Sequence, residues 1–279
     1  MIAYVLISGA GGDAWYWHLL EPEHRGRGHD VVAVDMPADD DSAGLAEYTD
    51  SVVEAIATRT GIVLVAQSFG GFTAPLVCER VPVDLLVMLN AMMPSPGESP
   101  GEWWANTGHA KARAEQAARD GRDLAAGEDL MDAFFHDVSS EVVAEARAKG
   151  EPRQSGTPFK EPWPLPEWPD VPTRFLQGRD DHFFPVEFQR RVVWERLGIA
   201  LDEMAGGHLL ALVRPKELAD RLEAYQRRVA NGKGGRHDRE VIEMKILGEE
   251  AVSREPVALE VVSLDGPWRC RGRFERRTE

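Results

Sequence analysis

The chain has 279 residues, with 32 Lys+Arg against 47 Asp+Glu for a formal charge of -15, and a pI near 5.0. That balance argues against a duplex nucleic-acid binder, whose affinity comes largely from neutralising phosphates, and against docking on anionic membranes. With 43% hydrophobic and 28% charged residues the composition is that of an ordinary globular protein, long enough for one large α/β domain with insertions. Two cysteines, Cys78 and Cys270, exclude a disulfide scaffold and a cysteine-based zinc site. The opening Met1-Ile2-Ala3-Tyr4-Val5-Leu6-Ile7-Ser8-Gly9 lacks a basic leader, and no apolar run reaches membrane-span length, so the expected location is cytoplasmic.

Residues 2–7 form a short apolar run stopped by Gly9, which suits a buried parallel strand. Residues 14–25 read as a helix ended by Gly26 and Gly28. Residues 31–34 read as a second strand, 45–59 as a helix stopped by Gly61, 62–65 as a third strand, 72–80 as a helix and 85–89 as a fourth strand. Strands separated by helices imply right-handed crossovers and a parallel sheet covered on both faces.

Residues 92–170 break this rhythm. They are proline-rich, hold Trp103, Trp104, Trp163 and Trp168, and carry helical patterns near 108–120, 128–136 and 140–149, with Ser139 as an N-cap. This stretch predicts a helical insertion rather than a structureless loop. The rhythm returns with a strand at 173–177, a helix at 184–197, a short strand at 199–201 and a last helix from Pro215. Residues 1–91 and 171–229 therefore form the expected α/β core. Residues 230–279 are left as an extension, either a short β hairpin or a disordered tail. They carry as many basic as acidic residues, so all of the net charge lies on the preceding part.

The sharpest chemical signal is Ala66-Gln67-Ser68-Phe69-Gly70-Gly71, directly after a strand and before a helix. A nucleophile elbow needs that context, with small residues two before and two after the nucleophile. Its usual form is G-x-S-x-G, and Ala66 departs from it by one methyl group. A serine hydroxyl needs a base, and the base an orienting acid, in the chain order Ser, Asp or Glu, His. Asp180 and Asp181 follow the strand at 173–177, and His208 is the histidine of the loop after the next strand. His109, His136 and His182 read as structural or solvent-facing, Cys78 as a small hydrophobe, and Asp39-Asp40-Asp41 as a solvated loop rather than a metal site.

Residues 1–229 resemble the α/β-hydrolase superfamily, in the branch of small plant-type esterases and hydroxynitrile lyases. The carrying residues are Val5-Leu6-Ile7-Ser8-Gly9-Ala10, Ala14-Trp15-Tyr16-Trp17 and the elbow, with Ser8 where the family usually has His. The resemblance implies the α/β-hydrolase fold: a mostly parallel sheet, helices on both faces and a helical cap at 92–170. From Gly178, Asp181 and Pro185 it favours Asp181 over Asp180 as the acid. It also implies an oxyanion hole from the backbone N–H groups of Ala10 and Phe69. Hydroxynitrile lyases of this branch carry Lys after the catalytic His and commonly Thr at the position of Gly9. Leu209 and Gly9 depart toward the esterase side.

The expected protein is a serine hydrolase using Ser68, His208 and Asp181 on a small, apolar or aromatic ester, with Trp103, Trp104, Phe134 and Trp163 as candidate pocket residues. No cofactor, metal, nucleic acid or membrane partner is implied, and oligomeric state is open. Two alternatives stand beside it: carbon–carbon or lyase chemistry on a small carbonyl compound, and non-enzymatic binding of a small molecule.

Overall fold

The computed structural model describes residues 2–122, 124 and 130–232. Of the extension predicted from 230 onward, Ala230 ends the last helix and 231–232 form a turn, and the rest lies outside the described residues. Six strands form one sheet in the order β2-β1-β3-β4-β5-β6, every neighbouring pair parallel. They are β1 (Ala3–Ile7), β2 (Asp30–Val34), β3 (Ile62–Gln67), β4 (Leu85–Leu89), β5 (Thr173–Gly178) and β6 (Asp202–Met204). The strands β1, β3 and β4 are buried along their whole length, which explains their unbroken apolar runs.

Two hydrophobic clusters sandwich the sheet. One gathers Val5, Leu64, Leu86 and Phe175 with α2 (Leu45–Ile56) and α8 (Val186–Leu197). The other gathers Tyr4, Val63, Val87 and Leu176 with Trp17, Leu20 and α10 (Pro215–Ala230). Alternate residues of each strand thus face opposite layers, as a pleated strand requires.

Several sequence expectations shift, each for a local reason. The helix expected over 14–25 splits into a 3-10 turn, Ala14–Trp17, and α1 (Leu20–Gly26). Pro22 has no N–H to give and is tolerated only in a first turn. The helix expected over 45–59 stops at Ile56, where Ala57 turns to φ 52° and Arg59 Nη1 donates to the Ala55 carbonyl at 2.9 Å. Residues 72–80 become a 3-10 turn, Ser68–Phe72, and α3 (Ala74–Cys78), with Pro75 in its first turn. The last strand is Asp202–Met204 rather than 199–201, since its register pairs Leu176 with Asp202 and Gly178 with Met204. As an edge strand it tolerates Asp202 and Glu203, while Ile199 and Leu201 pack on the core before it.

Between β4 and β5 the described chain is helical: α4 (Pro100–Thr107), α5 (His109–Arg119), α6 (Leu130–Phe135), α7 (Ser140–Lys149) and a 3-10 turn at Pro158–Lys160. Ser139 caps α7 as expected, accepting from the Val142 N–H at 3.4 Å. The prolines hid α4 from the sequence reading. Yet Pro100 occupies its first position, and Ser99 and Glu102 form a capping box, with Glu102 N–H to Ser99 Oγ at 3.2 Å and Ser99 N–H to Glu102 Oε2 at 2.9 Å. After β6 a short helix, α9 (Leu210–Val213), precedes α10 and was also not foreseen.

At the N-terminal end of the sheet, His24 of α1 is fully buried and stacks on Tyr4 with ring centroids 3.8 Å apart. Neither ring nitrogen has a hydrogen-bond partner among the described residues. Burial lowers its pKa from 6.5 to about 4. As pH falls, the unfolded chain protonates this ring before the folded one does. Its contribution to stability is therefore complete above pH 6.5 and is lost as pH drops toward about 4. Replacing His24 by Phe is expected to flatten the loss of unfolding free energy over that window, as measured by urea melts at stepped pH.

Candidate active site

Ser68 stands immediately after β3 with φ 51°, a left-handed conformation that costs a non-glycine residue about 1 kcal/mol. Close packing holds it there. A methyl group on Gly70 would come within 2.9 Å of the Ser8 carbonyl oxygen and of Ile7 Cγ2. One on Gly71 would overlap the Met92 carbonyl oxygen, and Met92 N–H donates to the Ser68 carbonyl at 2.9 Å. Ala66 lies earlier, inside β3, paired with Ile7 on one side and Met88 on the other. Its methyl group is accommodated there, which explains how A-x-S-x-G serves at this turn.

Asp181 and His208 meet as the chain order predicts. His208 Nδ1 lies 2.8 Å from Asp181 Oδ2, with both side chains buried. A carboxylate only accepts, so Nδ1 carries a proton and donates it to Asp181. Three more donors reach the Asp181 carboxylate. Phe183 N–H and Phe184 N–H reach Oδ1 at 2.8 and 2.9 Å, and Gln177 Nε2 reaches Oδ2 at 3.2 Å. Asp180 does a different job: its Oδ2 accepts from Gly206 N–H at 2.9 Å and braces the histidine loop. The geometry therefore joins Asp181, not Asp180, to His208.

The histidine loop is tied to the sheet beside Ser68. Gln67 Nε2 lies 3.5 Å from the His208 carbonyl. Asn90, just past β4, is fully buried with φ 43°. Its Nδ2 donates to the carbonyls of Gly207 (3.0 Å) and His208 (2.9 Å), and its Oδ1 accepts from Gly178 N–H at 2.6 Å. One side chain thus links the ends of β4 and β5 to the His208 loop. A methyl on Gly178 would sit 2.5 Å from the Gly206 carbonyl, so the two loops can meet only with glycine there. Sequence reasoning missed Asn90 and Gln177. For Asn90 the available signal was an Asn directly after a strand, a residue that accepts left-handed φ.

The loop after β1 lies against the nucleophile position. A methyl on Gly9 would come 2.8 Å from Ser68 Cβ and 3.3 Å from Ser68 Oγ. Gly12 N–H donates to the Gly9 carbonyl at 3.0 Å, closing a turn that leaves Ala10 exposed at its tip. Ser8 Oγ donates to the Asp13 carbonyl at 2.9 Å, bracing the loop without the family's histidine. Phe69 follows Ser68 in the elbow, and its ring stacks on Phe159 at 4.5 Å.

The candidate aromatics separate by position. Phe134 reaches His208 with ring centroids 5.0 Å apart, beside Phe183 (5.4 Å) and Phe184 (5.2 Å). Trp104 is partly buried and meets Phe183 at 5.8 Å. Trp103 and Trp163 are core residues, their indole N–H groups donating to the carbonyls of Met93 (2.9 Å) and Phe72 (3.2 Å). His109 is buried and donates to the Phe183 carbonyl at 2.7 Å, and burial holds its pKa below the ordinary value. His136 stacks on His182 at 3.7 Å. Asp40 accepts from Ser42 and Asp41 pairs with Arg153. Burial pushes the Cys78 thiol up to about 12, leaving it a neutral packing group. Among the described residues no group of three His, Cys, Asp or Glu could hold a metal ion, and no helix is long and apolar enough to cross a membrane.

A parallel sheet whose strand ends gather a serine at an elbow and a buried Asp–His pair defines a class before any comparison is made. The model of the alpha/beta hydrolase family matches residues 4–221, and the chain belongs to that family. It is similar to norfluorocurarine synthase 1 of a Strychnos species, 33% identical over 109 residues, which are 35% of this chain and 41% of that protein. It is likewise similar to polyneuridine aldehyde esterase of Rauvolfia serpentina, 32% identical over 108 residues, 34% of this chain and 41% of the relative. The matches span about two fifths of the length of these curated relatives. Among solved structures, the pyrethroid hydrolase of Sphingobium faniae JZ-2 superposes with a TM-score of 0.64 at 22% identity, covering 82% of this chain and 99% of that one. At that identity the likeness bears on the fold alone.

Removing the Asn90 amide takes a hydrogen-bond partner from three buried backbone groups, of which only the His208 carbonyl keeps another, Gln67 Nε2 at 3.5 Å, and each buried group left unpaired costs about 1–3 kcal/mol. Asn90→Ala is expected to lower stability by about 3 kcal/mol in urea unfolding. Asn90→Gly relieves the left-handed backbone but restores none of these hydrogen bonds, so it is expected to be destabilised as well.

Proposed function

We propose that this protein is a serine hydrolase that cleaves a small, apolar or aromatic ester with Ser68 as nucleophile, His208 as base and Asp181 as orienting acid. The observation that carries the reading is the buried 2.8 Å Asp181–His208 pair, set on a loop tied to the strand that presents Ser68. In the first half-reaction His208 Nε2 takes the Ser68 proton as Oγ attacks the ester carbonyl. The N–H groups of Phe69 and Ala10 receive the developing oxyanion. His208 then returns the proton to the departing alcohol, leaving an acyl-Ser68 ester. Water deprotonated by His208 attacks that ester, the acid is released and Ser68 regains its proton.

The Nδ1–H···Asp181 bond fixes the tautomer of the neutral ring with its lone pair on Nε2, and the carboxylate stabilises the imidazolium once it forms. Phe134, Phe183 and Trp104 support an apolar or aromatic substrate. The esterase name of the Rauvolfia serpentina relative supports ester hydrolysis. Leu209, in place of the lysine of hydroxynitrile lyases, supports ester over cyanohydrin cleavage.

Incubation with a fluorophosphonate probe and peptide mapping is expected to find the label on Ser68, and Ser68→Ala to abolish it. A folded chain left unlabelled would overturn the proposal, as would faster turnover of cyanohydrins or β-keto acids than of esters. Asp181→Asn is expected to cut kcat by roughly 10³–10⁴-fold by removing the carboxylate that fixes the tautomer. Asp180→Asn, which spares the His208 contact, is expected to cost roughly tenfold or less.

A further inference from the structure

An oxyanion hole works by being rigid before the charge develops. The loop that would supply half of it here is Gly9-Ala10-Gly11-Gly12, three glycines in four residues, a composition with little stiffness of its own. Its two ends are held within the core. Gly9 packs against Ser68, and Gly12 packs on Met36, its carbonyl accepting from Met36 N–H at 2.9 Å. The middle is different. The peptide planes on either side of Ala10, the first of which carries its N–H, can turn by linked rotation of Gly9 ψ with Ala10 φ and of Ala10 ψ with Gly11 φ, and because both ends of the loop are held the two rotations are coupled. Gly11 stands there at φ 86°, and its N–H is not used by the hydrogen bond that closes the turn, which comes from Gly12.

That N–H is taken by the insertion. Gln154 Oε1 accepts from Gly11 N–H at 2.9 Å, across 143 positions of sequence. The amide is itself oriented, because Gln154 Nε2 donates to the Tyr48 hydroxyl at 3.0 Å and to the Ser155 carbonyl at 2.9 Å. Pro152 closes the other side, so that a methyl on Gly11 would lie 2.8 Å from Pro152 Cβ. The same segment is stitched to the loop after β2, with Ser155 N–H donating to the Ala38 carbonyl at 2.7 Å and Arg153 bound to the Asp39 carbonyl and Asp41.

We propose that Gln154 is a positioning residue for catalysis: by accepting the Gly11 N–H it locks the Gly9–Gly12 turn and keeps the Ala10 N–H aimed beside Ser68. The inference rests on the serine-hydrolase reading above. It makes the inserted segment part of the oxyanion geometry rather than only a wall of the substrate pocket.

The test compares the full-length chain with Gln154→Leu, which removes the acceptor at nearly constant volume, and Gln154→Glu, which keeps an acceptor oxygen. Steady-state hydrolysis of p-nitrophenyl butyrate and the second-order rate of fluorophosphonate labelling at Ser68 are read on protein shown to be folded by circular dichroism. Q154L is expected to lose about tenfold in kcat with KM within about twofold, and its labelling rate to fall in step, because both reactions use the oxyanion donors. Q154E is expected to retain most of kcat. An unchanged kcat in Q154L, a change in KM alone, or equal loss in Q154L and Q154E would overturn the proposal. If Q154L folds poorly, Tyr48→Phe removes only the hydroxyl that orients Gln154. A smaller drop in kcat at constant KM is then expected, and no drop would overturn it. Normal labelling of the unmodified chain with a Q154L rate equal to it rejects this inference alone, whereas an unlabelled unmodified chain rejects the hydrolase reading as well.

Discussion

Where β3 gives way to the segment Ser68–Phe72, the chain reverses in a space that admits no side chain at Gly70 or Gly71, between the end of β1 and the Met92 carbonyl. The other parts of the site are placed relative to that reversal. It drives Ser68 into a left-handed conformation, lifts the hydroxyl off the end of the sheet, and brings Gly9 against its Cβ. The strain is small beside the burial of β1, β3 and β4 on either side. The sheet can therefore hold a local conformation that an isolated peptide would abandon.

The remaining groups arrive from successive strands of the parallel sheet: the acid after β5, the histidine after β6, the Gly-rich loop after β1. Loops that project from separate strands need cross-ties to share one geometry. Side-chain amides supply them here, Gln67 reaching the His208 carbonyl from the end of β3, and another braces one loop from within. Asn90 binds the loops after β5 and β6, and Gln177 spans the Asp181 loop from its carboxylate to the Phe184 carbonyl at 2.9 Å. An amide suits this work because it offers a donor and an acceptor on one planar group, and three backbone loops present both.

The strands and the Ser–Asp–His order were legible because each leaves a local trace: apolar runs of fixed length, a small-residue turn, and chain order after particular strands. The preference for Asp181 over Asp180 came from the family pattern of Gly178, Asp181 and Pro185 alone, since adjacent carboxylates differ otherwise only in where the backbone points them. In the fold, one faces His208 and the other Gly206. The helix at Pro100–Thr107 was hidden by prolines that in fact start it. The strand Asp202–Met204 was misplaced because an edge strand carries no strict apolar signature. The partners of Asn90 and Gln154 were hidden for a deeper reason: both bind backbone atoms about 90 to 140 positions away, and the neighbouring sequence names no such partner, even where, as at Asn90, an Asn directly after a strand marks the position.

All six strands point the same way, and the consequence is a division of labour along their axis. Ser68, the Asp181–His208 pair and the glycine turn all gather at the C-terminal ends. Toward the opposite rim, His24 stacks on Tyr4 near the start of β1, a packed contact with no part in the proposed chemistry. A substitution at one pole can therefore alter the proposed chemistry while the packing at the other is untouched, and the two become separable traits of a single sheet.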